Sequence, residues 1–448
     1  PGNRWGFFPS AALAWRMSEE DLLKGISFIT DAKLRLSHGA TGNNRVSDFA
    51  YLSTLTIPRS GGYSFNNSEP IRGALLENYG NPNLKWETTV QTDIGFDLSV
   101  MEGRLEITLD VTRKITKNVL LNADLPYSTG LTNIYNSASA YKNIGKIKNE
   151  GLELTLNTVN IAKGDFEWRT NFNITFNRNE VIELNEGQTS LLENVNFDQY
   201  FSNTHPYIAQ VGQPIGQMYG LIWDGVYQYG DFDQVLGQYV LKDNIPTNGQ
   251  PRANIQPGDI KYRDINGDLL VNEMDFTVIG RGIPFHSGGF NNSLKYRGFD
   301  INVFFQWSYG NDIINANRLF FEGNARNLIS LNQYAVYENR WSPENPSEEY
   351  FRTAGKKDTW YTSRVVEDGS FLRLKTVSLG YSFSELFLNK VWLKSMRLYA
   401  SAQNLYTWTN YSGSNPDVST RHSALTPGFD FAAYPLARTF TVGLSTTF

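Results

Sequence analysis

The chain has 448 residues and carries 40 Lys and Arg against 45 Asp and Glu, a net charge of −5. Its length allows two or three ordinary domains, and its charge offers no basic field for nucleic acid. The absence of cysteine excludes disulfides, thiolate nucleophiles and cysteine metal sites, and no apolar run reaches the ~18 residues of a membrane-spanning helix.

From the N-terminus onward, the recurring pattern is alternation with a period of two, the mark of a strand with one apolar face. Irregular versions lie at 7–16 and 28–37, with a short helical stretch near 17–25 between them. Residues 93–100 set Ile94, Phe96, Leu98 and Val100 against Asp93, Gly95, Asp97 and Ser99. Residues 104–112 set Leu105, Ile107, Leu109 and Val111 against Arg104, Glu106, Thr108 and Asp110. Further strands are predicted at 151–159, 166–176, 289–296, 299–307, 371–383 and 396–408, and a second helical stretch near 329–340. The chain ends RTFTVGLSTTF, still alternating through Phe440, Val442 and Leu444 to Phe448. Eleven strands result.

Tight turns of the glycine-bearing hairpin type are predicted at Met101–Gly103, Ala162–Gly164 and Arg297–Gly298. They alternate with five long connections, 39–86, 116–146, 179–286, 311–369 and 409–437. Compact soluble domains seldom carry structureless loops beyond ~12–15 residues. In an up-and-down meander, alternate junctions share one end of the sheet, so all the long loops lie together. Short periplasmic turns and long extracellular loops belong to an all-β fold, the transmembrane antiparallel β-barrel of the bacterial outer membrane. A tilted strand crosses in ~9–11 residues, and the sheet closes because every backbone group must pair in lipid. The apolar face then meets lipid and the charged face lines the lumen. Trp15, Trp168, Trp307, Tyr309, Tyr406 and Trp408 lie near strand ends, where aromatic girdles belong, and Phe448 ends the last strand at the periplasmic rim. The competing fold is a large soluble β-sandwich or propeller; the loop asymmetry and the terminal strand favour the barrel.

Several blocks carry a family resemblance. They are WGFFPSAALAWRMSEEDLL…AKLRLSHGATGNN (Trp5–Asn44), NPNLKWETTVQTDIGFDL (Asn81–Leu98), VGQPIGQMYGLIWDGVY (Val211–Tyr227) and PGDIKYRDINGD (Pro257–Asp268). DGSFLRLKTVSLGYSF (Asp368–Phe383), SAQNLYTWTNYSGSNPDVS (Ser401–Ser419) and AAYPLARTFTVGLSTTF (Ala432–Phe448) complete the series. In this order they resemble the SusC/RagA family of TonB-linked outer-membrane transporters over essentially the whole chain. The family's N-terminal signal, TonB-contacting segment and plug have no counterpart among these residues. Residues 1–448 are thus similar to the C-terminal half of the barrel, with 179–286 as its longest extracellular loop region. The resemblance implies import of oligosaccharides or peptides across the outer membrane, powered by the TonB complex, beneath a SusD-like lipoprotein lid. It also implies a barrel of twenty-two strands. Eleven is odd, whereas a barrel delivered from the periplasm begins and ends there with an even count. The expectation is that Pro1 sits in an extracellular loop, with the plug and earlier strands upstream in a polypeptide about twice this length.

No catalytic constellation competes, so the chain is not expected to be an enzyme. His38, His205, His286 and His422 are scattered without metal-ligand spacing and read as loop or rim residues. Asp93, Asp97, Glu106 and Asp110 fall regularly on strand polar faces and read as lumen-facing rather than as a general acid and base. Two other classes stay open: a surface adhesin whose barrel only anchors, and a barrel hydrolase. Tyr200, Tyr219, Trp223, Phe320, Phe321 and Trp360 could stack on sugar rings, but packing of loop against loop is favoured for each. A metal loop is the remaining candidate site. Asp264, Asn266, Asp268, Asn272 and Asp275 place oxygens at positions 1, 3, 5, 9 and 12 of a twelve-residue loop, with the Leu270 carbonyl at position 7. That is the Ca²⁺ spacing of EF-hand and dockerin-like sites, with Leu269 where glycine is wanted. The competing reading is an Asx-rich turn held by its own backbone. A structural Ca²⁺ is therefore possible, and no other cofactor is required.

Overall fold

In a computed structural model of the chain, the residues described are all except 1–4, 45–48, 58–61, 65–66, 125–131, 134–135, 138, 144, 185–186, 196, 199–200, 202–203, 323–330, 354, 356–359, 385–392, 421–422 and 448. One eleven-stranded antiparallel sheet runs through the chain in sequence order. Its strands are β1 (Ser10–Arg16), β2 (Ile29–Asn43), β3 (Glu87–Val100), β4 (Leu105–Lys117), β5 (Lys146–Lys163) and β6 (Phe166–Glu183). They continue as β7 (His286–Tyr296), β8 (Phe299–Tyr309), β9 (Phe371–Ser382), β10 (Ser395–Thr409) and β11 (Thr439–Thr447). Each pairs only with its sequence neighbours among the eleven, so the sheet is the expected meander.

The turns follow their chemistry. Arg297 and Gly298 both hold positive φ, 45° and 87°, the type I′ geometry whose twist matches that of the strands it joins. Met101, Glu102 and Gly103 are likewise left-handed, with the Arg104 N–H bonded to the Met101 carbonyl at 3.1 Å. The third turn lies one step later than predicted, at Gly164 and Asp165, because β5 and β6 pair as far as Lys163 and Phe166. The helical stretch after β1 is a 3-10 turn, Met17–Glu19, and one α turn, Asp21–Lys24. The second is reduced to a 3-10 turn at Ala335–Asn339; residues 329 and 330 lie outside the described residues.

Strands β2 to β6 run well past their predicted limits toward the long-loop end. β2 continues to Asn43 instead of residue 37, β5 begins at Lys146 instead of 151, and β6 ends at Glu183 instead of 176. The apolar faces are not a core. Ile94, Val111, Leu152 and Phe176 on the successive strands β3 to β6 are 50%, 49%, 40% and 42% exposed, and Leu379 on β9 is 47% exposed. A soluble sandwich would bury that face against a second sheet. Contiguous exposure on this scale marks a surface made for an apolar partner.

The buried core lies in the long connections, which are not structureless. Residues Ser190–Glu193, Tyr207–Gln210, Gln217–Gly220 and Thr277–Arg281 form a four-stranded sheet. From the next connection, Asp312–Asn315 pairs antiparallel with Val366–Asp368 and parallel with Phe429–Asp430 of the last one. Phe201, Tyr207, Met218, Ile314, Phe320, Tyr361 and Phe429 form one buried cluster. A second, around Leu221, Ile260, Tyr262, Trp341 and Phe351, again joins two connections.

Candidate functional site: the lumen wall and the loop body

The polar face of the sheet is a ladder of ion pairs and amides. The Arg35 guanidinium reaches Asp97 (2.8 Å) and Asp110 (2.8 Å), and Lys33 meets Asp97 at 3.1 Å. Arg35 and Asp110 lie two strands apart, with Gly95 between them. A Cβ on Gly95 would come within 2.4 Å of Asp110 Oδ1 and 2.5 Å of Arg35 Cζ, so only glycine leaves the passage. The arrangement recurs. Arg397 reaches Asp300 (2.5 Å) across Gly380, whose Cβ would meet both side chains. Lower on the wall, Asn171 donates to Asn157 (2.6 Å) and Asn157 to Glu106 (3.4 Å). The acidic residues are thus held by cations or amides on one polar wall. Sequence reasoning placed Asp97, Glu106 and Asp110 there but missed Arg35, Arg397 and the glycines that let them cross. The signal, an Arg beside a Gly on the next strand, level with it for Arg35 and one diagonal step away for Arg397, needs the register.

Above the wall, the loop body is locked by charge as well as by rings. Glu322, buried, accepts from Arg318 Nε (2.9 Å) and Arg364 Nη2 (2.5 Å), and Arg318 also reaches Glu367 (3.3 Å). Burial opposes charge on Arg318, but its bonds to Glu322 outweigh that and raise its pKa. The Tyr411 hydroxyl donates to Asp430 (2.5 Å). Burial first, then that bond, push the phenol far above its ordinary range, so it stays a donor at every physiological pH. The loop aromatics pack. Phe320 is 4% exposed, Tyr219 meets Phe276 at 5.7 Å, Trp223 meets Tyr262 at 6.3 Å, and Trp360 meets Tyr262 at 5.7 Å. Phe321 lies against Tyr334 at 5.3 Å. Tyr200 lies outside the described residues.

The 264–275 loop is closed by its own N–H groups. Asp264 accepts from Gly267 (2.7 Å) and Leu269 (2.8 Å), Asn266 from Asp268 (2.9 Å), and Asp268 from Leu270 (2.8 Å). Asn272 accepts from Met274 (2.8 Å), while the buried Asp275 takes Ile265 and Asn272, each at 2.8 Å. Leu269 adopts φ 65°, the left-handed shape that position 6 of a Ca²⁺ loop requires. Among the described residues, no three His, Cys, Asp or Glu side chains gather into a metal-competent group.

The sequence profile described as TonB dependent receptor-like, beta-barrel matches residues 1–266. The chain belongs to the TonB-dependent receptor family. TonB-dependent receptor P3 of Formosa agariphila is 36% identical over all of this chain and 42% of its own length. TonB-dependent receptor SusC of Bacteroides thetaiotaomicron is 28% identical over all of this chain and 40% of its own. The solved RagAB peptide transporter matches in fold, with a TM-score of 0.75 at 22% identity, over all of this chain and 44% of that one. The chain therefore spans about two fifths of the length of these relatives, and the SusC/RagA resemblance holds.

The family resides in the bacterial outer membrane, which assigns the two faces of this receptor: the apolar face meets lipid and the ion-pair face lines the lumen. The aromatic residues expected at the rims sort by height. Trp15 and Trp168 stand toward the periplasmic ends of β1 and β6, while Trp307, Tyr309, Tyr406 and Trp408 stand at the extracellular ends of β8 and β10. Their polar tips are tied down, Trp15 to Glu20 (3.0 Å) and Trp168 to Asn292 (2.9 Å). Phe448 lies outside the described residues. Of the histidines read as loop or rim residues, His286 stands at a rim and His38 departs from that reading. His286 opens β7, stacks on Tyr309 (5.1 Å) and accepts from Trp307 Nε1 (3.2 Å), so it packs with the aromatics at that end of the sheet. His38 sits within β2, its Nδ1 2.9 Å from the Thr92 hydroxyl. His205 is in a loop, and His422 lies outside the described residues.

Proposed function

We propose that this chain is part of a transporter rather than an enzyme, importing oligosaccharides or peptides across the outer membrane with energy from the TonB complex. The observation that carries this reading is the pairing of a polar, ion-paired wall with a folded loop body at one end of it. Barrels that only anchor also have polar interiors, so the family match is what favours this reading over an adhesin. Kinship with SusC, and with a structure described as a peptide transporter, supports the substrate classes. A cleft of about 520 Å³ lined by Arg318, Glu322, Tyr334 and Asp430 offers charged and hydroxyl groups at that end.

The partner follows from the loop body. Residues 179–286 and 311–369 are expected to contact a SusD-like lipoprotein over more than ~1,000 Å², the scale of a specific interface. Extraction of the native protein in mild detergent should bring the lipoprotein along in near-equal amount. A lone barrel from native membranes would count against the lid.

A structural Ca²⁺ at Asp264, Asn266, Asp268, Leu270, Asn272 and Asp275 belongs to the same proposal. The left-handed Leu269 supports it, and each carboxylate oxygen that takes an N–H keeps a second lone pair for a cation. Calorimetric titration of the metal-stripped native protein should show one Ca²⁺ site with a Kd on the order of 10⁻⁴–10⁻³ M, abolished by Asp264→Ala. Two flat traces would leave the loop as an Asx turn.

A further inference from the structure

The outward face of β4, β5 and β6 turns from apolar to cationic within one same-face step. Val111, Leu152 and Phe176 form its last apolar row in register. The next row toward the extracellular end is Arg113, Glu150 and Arg178, then Ile115, Lys148 and Glu180, and then Lys117 opposite Lys146. Side chains two residues apart share a face, so all these rows stand on the lipid side, spaced by ~6.6 Å along the strand.

Five cations meet Glu150 and Glu180 on this surface. Lys148 lies 2.8 Å from Glu180 and 3.5 Å from Glu150, and Arg113 lies 3.6 Å from Glu150. Both carboxylates are therefore already engaged. Among the described residues, Lys117 and Lys146 form no ion pair, although Glu183 is the neighbour of Lys146 on β6. The two lysines face each other directly across the ladder, and like charges so placed destabilise a sheet. An anion between them reverses the sign of that term.

We propose that Arg113, Lys117, Lys146, Lys148 and Arg178 bind the phosphate-bearing headgroup of an outer-leaflet glycolipid. Its acyl chains run down over Val111, Leu152 and Phe176, where the apolar band begins. Ammonium groups supply three donors each and guanidinium groups a fork, the donor set a phosphate takes. The proposal rests on the outer-membrane placement of the sheet and not on which substrate is transported.

The test uses the native full-length polypeptide in nanodiscs of phosphatidylethanolamine doped with diphosphorylated lipid A. Lipid A retained after detergent washing is read by native mass spectrometry. Wild type should retain phosphorylated lipid A in preference to its dephosphorylated form and to phosphatidylglycerol. Lys117→Gln with Lys146→Gln should weaken retention roughly thirtyfold, about fivefold per lysine near a charged surface. Lys117→Arg with Lys146→Arg should keep it. Heat-modifiable gel mobility confirms that each variant still forms a closed barrel. Equal retention by the glutamine variant, or no preference for phosphorylated lipid A over either competitor, would overturn the proposal.

Discussion

Phe429→Ala should release the extracellular loop body by about 3–5 kcal/mol while the barrel wall stays intact. Phe429 is fully buried, with Phe197 at 5.1 Å and Tyr361 at 6.3 Å. Its own strand, Phe429–Asp430, pairs in parallel with Ile314 and Asn315, so the side chain joins the last loop to the two before it. Truncation leaves a cavity among rings that cannot all collapse inward. Hydrogen exchange on the native protein should show faster amides at 207–210, 217–220 and 312–321 and unchanged amides in β3 to β6. Uniform acceleration, or none, would mean that the loop body and wall do not fold as separate units.

Glu322→Ala should have an effect of similar size through a different cause. Glu322 is the shared partner of Arg318 and Arg364, and the Arg364 side chain is only 4% exposed. Removing the carboxylate strands buried positive charge, which costs about 3–5 kcal/mol. Replacing Arg364 by methionine in the same molecule removes part of that charge and should recover part of the loss. The exposed pair Arg297–Asp165, with both side chains about two-thirds in solvent, is the contrast. Its loss through Asp165→Ala should fall within ~1 kcal/mol. Thermal unfolding of the purified variants separates the two cases. Equal effects would show that burial does not set the strength of these pairs.

The barrel wall was legible in the sequence because its two faces see different solvents. Ile94, Phe96 and Leu98 against Asp93, Gly95 and Asp97 is a pattern that lipid on one side and water on the other imposes along the whole crossing. The signal stops where the lipid stops. Beyond Leu152 and Phe176 the face that was apolar carries charge, and the ladder through Lys146–Glu150 and Asn177–Glu183 continues on backbone hydrogen bonds and ion pairs such as Lys148–Glu180. Alternation could not reveal it. The loop body was illegible for the opposite reason. Its strands are two to five residues long and draw partners from distant connections, as Ile314 does from Phe429, so no local window holds the pattern. The cross-strand arginines fall between these cases: Asp110 was visible on a polar face, but Arg35 and its meeting with Asp110 over Gly95 depend on register.

The central claim is that the sheet faces lipid on one side and an aqueous lumen on the other. These 448 residues contain no cysteine, so single cysteines along β8 report one position each, with any cysteine elsewhere in the native polypeptide replaced by serine. Spin labels at 301, 303 and 305 should collide with oxygen, which concentrates in lipid. Labels at 302 and 306 should collide with a water-soluble nickel chelate instead. Accessibility should alternate with a period of two from Phe299 to Trp307. A flat profile, or nickel access at Ile301 and Val303, would contradict a membrane-spanning wall.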